Sequence, residues 1–154
     1  RYEAELRRLA GDCDRIHFTG TLSHDEMRAA YARACGVIVP SLTYEAFGLV
    51  AAEAMAAGTP VVARRLGSLA ELADEGGALS YTTDDELVGH LHRLIARPDE
   101  RARLGASGRA AYEQLWTVDT HLSQYLALVD EVRREKTRRS AAAAGVSTAE
   151  TRAS

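Results

Sequence analysis

The sequence predicts an α/β domain with a largely parallel sheet flanked by helices, and three observations carry that prediction. Apolar runs of strand length alternate with segments of helical apolar spacing from residue 15 to residue 96. Two of the runs, Val37-Ile38-Val39 and Pro60-Val61-Val62-Ala63, are unbroken, the pattern of strands buried on both faces of a parallel sheet. A Ser or Thr followed three residues later by Glu, the capping box of a helix start, recurs as Ser23/Glu26, Ser68/Glu71 and Thr83/Glu86.

Each element follows in order. Tyr2 to Ala10 sets Leu6, Leu9 and Ala10 among charges and predicts a surface helix ending near Gly11. Arg15 to Thr19 alternates and stops at Gly20, predicting a short strand. The Ser23/Glu26 box opens a helix from about His24 to Cys35, Gly36 ends it, and the Val37–Val39 strand is closed by Pro40. Residues 47–57 are alanine-rich and predict a helix with Gly58 at its C′ position. The 60–63 strand, a short helix capped by Ser68, a short strand Ala78–Tyr81 and a helix of about His90 to Ala96 with its preceding turn, capped by Thr83, complete the alternation. After Arg97-Pro98, residues 99–114 predict a helix despite Gly105 and Gly108, and Val118 to about Arg138 a long amphipathic one. The domain is accordingly assigned to residues 1–138, and residues 139–154, poor in apolar bulk, are expected to form a disordered tail.

Composition narrows the function classes. At 154 residues, with 46% hydrophobic and 27% charged residues, the chain fits one ordinary globular domain plus a tail. A net charge of −3 provides no basic footprint for nucleic acid. Cys13 and Cys35 form no ligand or disulfide pattern, which fits a reducing cytosol, and His90 and His92, two apart, do not share a helix face, so no metal or cofactor is expected. No apolar run approaches the roughly eighteen residues of a membrane span. The start without Met inside a charged helical pattern is read as the loss of an N-terminal part.

The stretch from Val39 to Glu53, VPSLTYEAFGLVAAE, concentrates the chemistry. It joins a strand to a helix N-terminus, whose free N–H groups and positive dipole end form a natural cradle for phosphate, and it sets Glu45 and Glu53 eight positions apart. There is no G-x-G-x-x-G and no G-x-x-x-x-G-K-[ST], so neither a dinucleotide-dependent dehydrogenase nor a P-loop NTPase has support.

The order IHFTGTL, an alanine-rich helix, VIVPSLTYEAFGLVAAEAMAAGTPVVA and a late Trp116 before a long helix resembles the C-terminal half of retaining GT-B glycosyltransferases, the "glycosyl transferases group 1" set of family 4. The resemblance covers residues 6–132, and its most specific part places Glu45 and Glu53 on the family's E-x7-E pair. It implies a Rossmann-like sheet belonging to a GT-B fold truncated at its N-terminus, and transfer of a sugar from a nucleotide diphosphate sugar with retention.

By the same resemblance, the backbone of Phe47, Gly48 and Leu49 approaches the diphosphate or donor sugar, and Gly48 permits close approach. Glu45, the catalytic candidate, accepts from hydroxyls of the transferred sugar, and Glu53 accepts from the ribose. The backbone around Gly20, Thr21 and Leu22 lies near the base. With the helix starting at Phe47, the two carboxylates would stand about 12 Å apart. Ser41 either binds phosphate or stabilises the loop, and Glu71 reads as a cap rather than a ligand. The family's Arg/Lys pair against the diphosphate and its acceptor-binding domain have no counterpart here, which implies that this stretch alone is inactive. The acceptor, whether glycan, lipid or small molecule, stays open.

Two other readings accompany this one. A non-catalytic nucleotide- or sugar-binding module, or a degenerate GT-B relative, would keep the same scaffold. The Arg133–Arg139 cluster reads either as a solvated helix end favoured by the dipole or as a contact of a cytoplasmic protein with the inner face of an anionic membrane.

Overall fold

The computed structural model describes the backbone of residues 2–151 and the side chains of residues 2–140. Three parallel strands, β1 (Val37–Val39), β2 (Val61–Arg64) and β3 (Ala78–Tyr81), form a sheet in the order β1-β2-β3. Val37 pairs with Val61 and Val61 with Ala78, so the strands run in step. The helices are α1 (Tyr2–Ala10), α2 (His24–Arg33), α3 (Leu49–Ala56), α4 (Ser68–Asp74), α5 (Asp84–Ala96), α6 (Pro98–Leu115) and α7 (Val118–Thr151). The predicted α/β class with a parallel sheet is the observed one.

The period-two alternation of the strands divides the core. Val39, Val61 and Ala63 pack with Tyr31, Ala51, Ala54, Met55, Leu69 and Leu72 on one face, under α2, α3 and α4. Val62 and Tyr81 pack with Leu94 on the other, with Leu79, Leu87, Leu91 and Leu104 around them. β1 departs from expectation. Ile38, predicted to be buried, is 41% exposed although Val39 on the same strand is buried, because Ile38 points to the opposite face, where the cluster around Val62 does not extend over β1.

The Arg15–Thr19 strand does not form. A strand needs a neighbour for its N–H and C=O groups and a face to bury, whereas here Ile16 is half exposed and the segment is coil. Phe18 instead lies under the Arg7 guanidinium, 4.4 Å from its ring centre. The long last helix extends past the expected end near Arg138, its backbone staying helical through Thr151 across a run of alanines, the strongest helix formers. The side chains of the tail expected from residue 139 lie outside the described residues beyond residue 140.

Two of the three capping boxes form as predicted. Ser23 and Glu26 satisfy each other's backbone at the start of α2, and Thr83 and Glu86 do so at α5. Hydrogen bonds from the Thr82 amide, the Thr82 hydroxyl and the Thr83 amide hold the Glu86 carboxyl below its ordinary range.

Gly105 and Gly108 resolve an apparent conflict in α6. A Cβ on Gly105 would sit 2.1 Å from the Gly58 carbonyl oxygen, and one on Gly108 would sit 3.0 Å from that of Gly77 and 3.4 Å from Met55. The two glycines let α6 press against the end of α3, where the Arg109 guanidinium donates to the Ala56 carbonyl over 2.7 Å. That carbonyl is among those a helix end leaves without a partner.

Two predictions follow from this packing and capping. Gly105→Ala gains about 1 kcal/mol of helix propensity but forces the backbones apart, for a net loss of about 2 kcal/mol and a thermal midpoint roughly 4–8 °C lower. Gly89→Ala in α5, where an added Cβ meets nothing within 4 Å, instead raises the midpoint, and scanning calorimetry of the pair reads the sign. Because the folded Glu86 carboxyl titrates below its unfolded value of about 4.3, its stabilisation is complete above that pH and disappears as pH falls through the folded value. The stability difference between the native chain and Glu86→Gln therefore shrinks on acidification below about pH 4, as parallel urea titrations across pH would measure.

Candidate functional site

The site forms where β1 ends. Pro40 cannot donate to a sheet ladder, and the chain leaves the strand in a loop that reaches α3 through Gly48. Gly48 is the N-cap of α3 at φ 87°, ψ 52°, a left-handed conformation that L side chains rarely adopt. Space imposes the same requirement: a Cβ there would come within 2.7 Å of Leu69 and 3.2 Å of Leu72 on α4. Glycine at this position lets α3 seat against α4, and Gly48 is itself buried there.

No side chain caps α3, and its first turn contains no acid. The first helical bond runs from the Ala52 amide to the Gly48 carbonyl over 3.1 Å, so the amides from Gly48 through Ala51 have no acceptor within the helix. This set of free donors starts one residue later than the expected Phe47–Leu49 trio, since the helix begins at Leu49 rather than Phe47.

Glu45 and Ser41 come together. The Ser41 hydroxyl donates to the Glu45 carboxylate, and a Glu45 carboxylate oxygen lies 3.7 Å from where a Gly48 Cβ would be, beside the helix start. Helical rise covers only part of the way between the two acids, about 7.5 Å from Gly48 to Glu53, because Glu45 lies in the loop before the helix.

The third predicted capping box does not form. The N-cap of α4 is Gly67, Ser68 is its first helical residue, and the Ser68 hydroxyl donates to the Glu45 backbone carbonyl over 3.0 Å. A residue read as a local cap is thus a tie between two loops. The Tyr44 ring covers Gly67, where an added Cβ would approach it to 2.8 Å.

Glu53 stands exposed on the α3 surface while its neighbours Ala52 and Ala54 are buried. Its carboxylate accepts from the Tyr31 hydroxyl over 3.3 Å. Burial of the ring first, then the Glu53 charge and hydrogen bond, hold the Tyr31 phenol above its ordinary range, so it remains a donor. The helical pattern marked Tyr31 only as an apolar position, and nothing in its spacing connects it to residue 53.

Among the described residues, neither Glu45 nor Glu53 takes part in a salt bridge. Leu49 is 67% exposed at the mouth of the site, and the Phe47 side chain turns toward Trp116, its ring edge-on at 6.3 Å and 79°. Beyond Phe47 lies a cleft of about 660 Å³ bounded by Ser68 and Leu72 on one side and Trp116, Val118 and His121 on the other. Gly20, Thr21 and Leu22 belong to the coil that leads into α2, with Gly20 at φ 65°. The α2 helix they precede brings Tyr31 to Glu53.

A three-stranded parallel sheet with its polar loop and uncapped helix at the carboxyl end of β1 is the α/β architecture of GT-B glycosyltransferases. The structure of sucrose-phosphate synthase from Thermosynechococcus elongatus superimposes with a TM-score of 0.75 at 31% identity over 88% of this chain and 34% of its own. HepE of Anabaena, solved in complex with UDP, does so with a TM-score of 0.77 at 26% identity over 84% of this chain and 37% of its own. HepE was also solved with UDP-glucose.

The sequence profile described as "Glycosyl transferases group 1" matches residues 1–97, and the chain belongs to that family. A curated relative, the MMP α-(1→4)-mannosyltransferase of Mycolicibacterium hassiacum, is 37% identical over 125 residues, 79% of this chain and 30% of that protein. The D-inositol 3-phosphate glycosyltransferase of Mycobacterium bovis is 36% identical over 145 residues, 87% of this chain and 30% of its own. The chain thus spans under a third of the length of these relatives. No helix among the described residues is long and apolar enough to cross a membrane.

The geometry of α3 predicts that Gly48→Ala costs about 2–3 kcal/mol, the sum of left-handed strain and the clash with Leu69. Leu69→Ala, itself a core truncation costing about 2–5 kcal/mol, relieves the clash but not the φ penalty, so Gly48→Ala costs less on that background than in the native chain and still more than zero. Chemical denaturation of the four variants measures both parts.

Proposed function

We propose that this chain is the donor-binding part of a glycosyltransferase that moves a sugar from a nucleotide diphosphate sugar to an acceptor, with retention at the anomeric carbon. The observation that carries the reading is the uncapped N-terminus of α3 between two acids that form no salt bridge among the described residues, Glu45 held by Ser41 and Glu53 held by Tyr31. That HepE, a neighbour of the same fold, was solved with UDP and UDP-glucose supports it.

In this reading the diphosphate lies against the amides at the start of α3, where hydrogen-bond donors and the dipole favour negative charge. Charge grows on the departing diphosphate as the glycosidic bond breaks, and fixed N–H groups stabilise it without reorganising. Glu45, at the same end of the helix, accepts from hydroxyls of the transferred sugar. Glu53, one turn further along, accepts from the ribose diol, as carboxylates do with vicinal hydroxyls. Ser41 orients Glu45, Gly20 to Leu22 lie toward the base, and no metal takes part. The acceptor, and basic groups against the diphosphate, belong to a further part of a longer cytoplasmic enzyme.

The two acids separate under one experiment on the full-length enzyme, calorimetric titration with UDP and with UDP-glucose. Glu53→Ala weakens both ligands about 10- to 100-fold, as expected for a lost hydrogen bond to a charged group. Glu45→Ala weakens UDP-glucose by a similar factor and leaves UDP within twofold. Unchanged binding of both ligands by both variants, with no transfer from any nucleotide sugar, would overturn the reading.

A further inference from the structure

We infer that Tyr31 is a positioning residue for the donor site: its hydroxyl fixes the Glu53 carboxylate in the orientation that accepts the ribose diol. The inference rests on the ribose role proposed for Glu53 and extends it to a residue on another helix.

The geometry supplies the argument. Tyr31 is 5% exposed, its ring locked in the core with Val39, Ala54 and Met55, so its hydroxyl occupies one place. The residue is anchored a second time, since the buried Thr59 hydroxyl donates to the Tyr31 carbonyl over 2.7 Å. Thr59 follows Gly58 just past the end of α3, so α2 is tied to α3 at Glu53 and to the segment after it six residues further on.

Glu53 in contrast is an exposed side chain with no salt bridge among the described residues, and such a chain loses its rotamer freedom when a ligand fixes it. A donor on a rigid support takes that loss before the ligand arrives. The phenol occupies one acceptor position on Oε2 only, leaving Oε1 and the remaining lone pair of Oε2 for two vicinal hydroxyls. A phenylalanine would fill the same core space and orient nothing.

The test is a double-variant cycle in the full-length enzyme, with UDP as titrant and UDP-glucose as donor in kinetics. Tyr31→Phe keeps the ring and therefore the core, which circular dichroism and the thermal midpoint check. The expected result is a rise of about fivefold in the Kd for UDP and in the donor KM, with kcat within twofold, since the interaction lost is common to ground and transition states. On a Glu53→Ala background, Tyr31→Phe has no further effect.

The inference is overturned if Glu53→Ala weakens UDP while Tyr31→Phe leaves it within twofold, or if the two effects simply add. If Glu53→Ala itself leaves UDP binding unchanged, the ribose reading fails first, and that outcome is distinct from a failure confined to Tyr31.

Discussion

The structure depends on how closely α3 can lie against its surroundings. Ala51, Ala54 and Met55 have no measurable exposure, and Leu69, Leu72, Gly105 and Gly108 close around the same helix. Such approach is possible because the facing surfaces have almost no side chain: alanines on α3, a glycine at its start and two glycines on α6. Interiors pack near crystal density, so any added carbon in this region displaces backbone. The helix is therefore a rigid mount, and what projects from its N-terminal end is held in fixed relation to the sheet.

On that mount the start of α3 has no side-chain cap. The starts of α2 and α5 are satisfied locally, by Ser23 and by Thr83. At α3 and α4 the N-caps are glycines with no side chain to offer, and the Ser68 hydroxyl goes to the Glu45 carbonyl instead of to its own helix. Uncapped amides cost stability unless water or a ligand accepts from them. The two acids nearby are held by neutral hydroxyls, which orient a carboxylate without neutralising it. An arrangement of free donors and oriented acceptors suits a ligand that is both anionic and rich in hydroxyls.

The second face of the sheet shows the converse. Val62, Tyr81 and Leu94 form a smaller cluster there, and β1 presents Ile38 to solvent at the sheet edge. Apolar residues of α7, Val118, Leu122, Tyr125 and Val132 among them, are likewise exposed. Both observations are in keeping with a chain that spans under a third of the length of its relatives.

What the sequence determined by itself was whatever is decided within a few residues. The unbroken runs at 37–39 and 61–63 fixed two strands, the Ser23 and Thr83 boxes fixed two helix starts to the residue, and the order of residues 37–63 identified the family. The tertiary structure decided whatever needs a neighbour distant in the chain. Arg15–Thr19 has the alternation of a strand but no partner to pair with among the described residues, Ile38 has the composition of a core residue but points to the face that the second cluster does not cover at β1, and Ser68 has a capping spacing but sits one residue inside the helix, after the N-cap Gly67. Gly105 and Gly108 look like helix breakers until the Gly58 and Gly77 carbonyls are in place. Tyr31 meets Glu53 across 22 residues of chain, a contact that periodicity cannot encode, because local spacing fixes which face a side chain occupies and only packing fixes what that face meets.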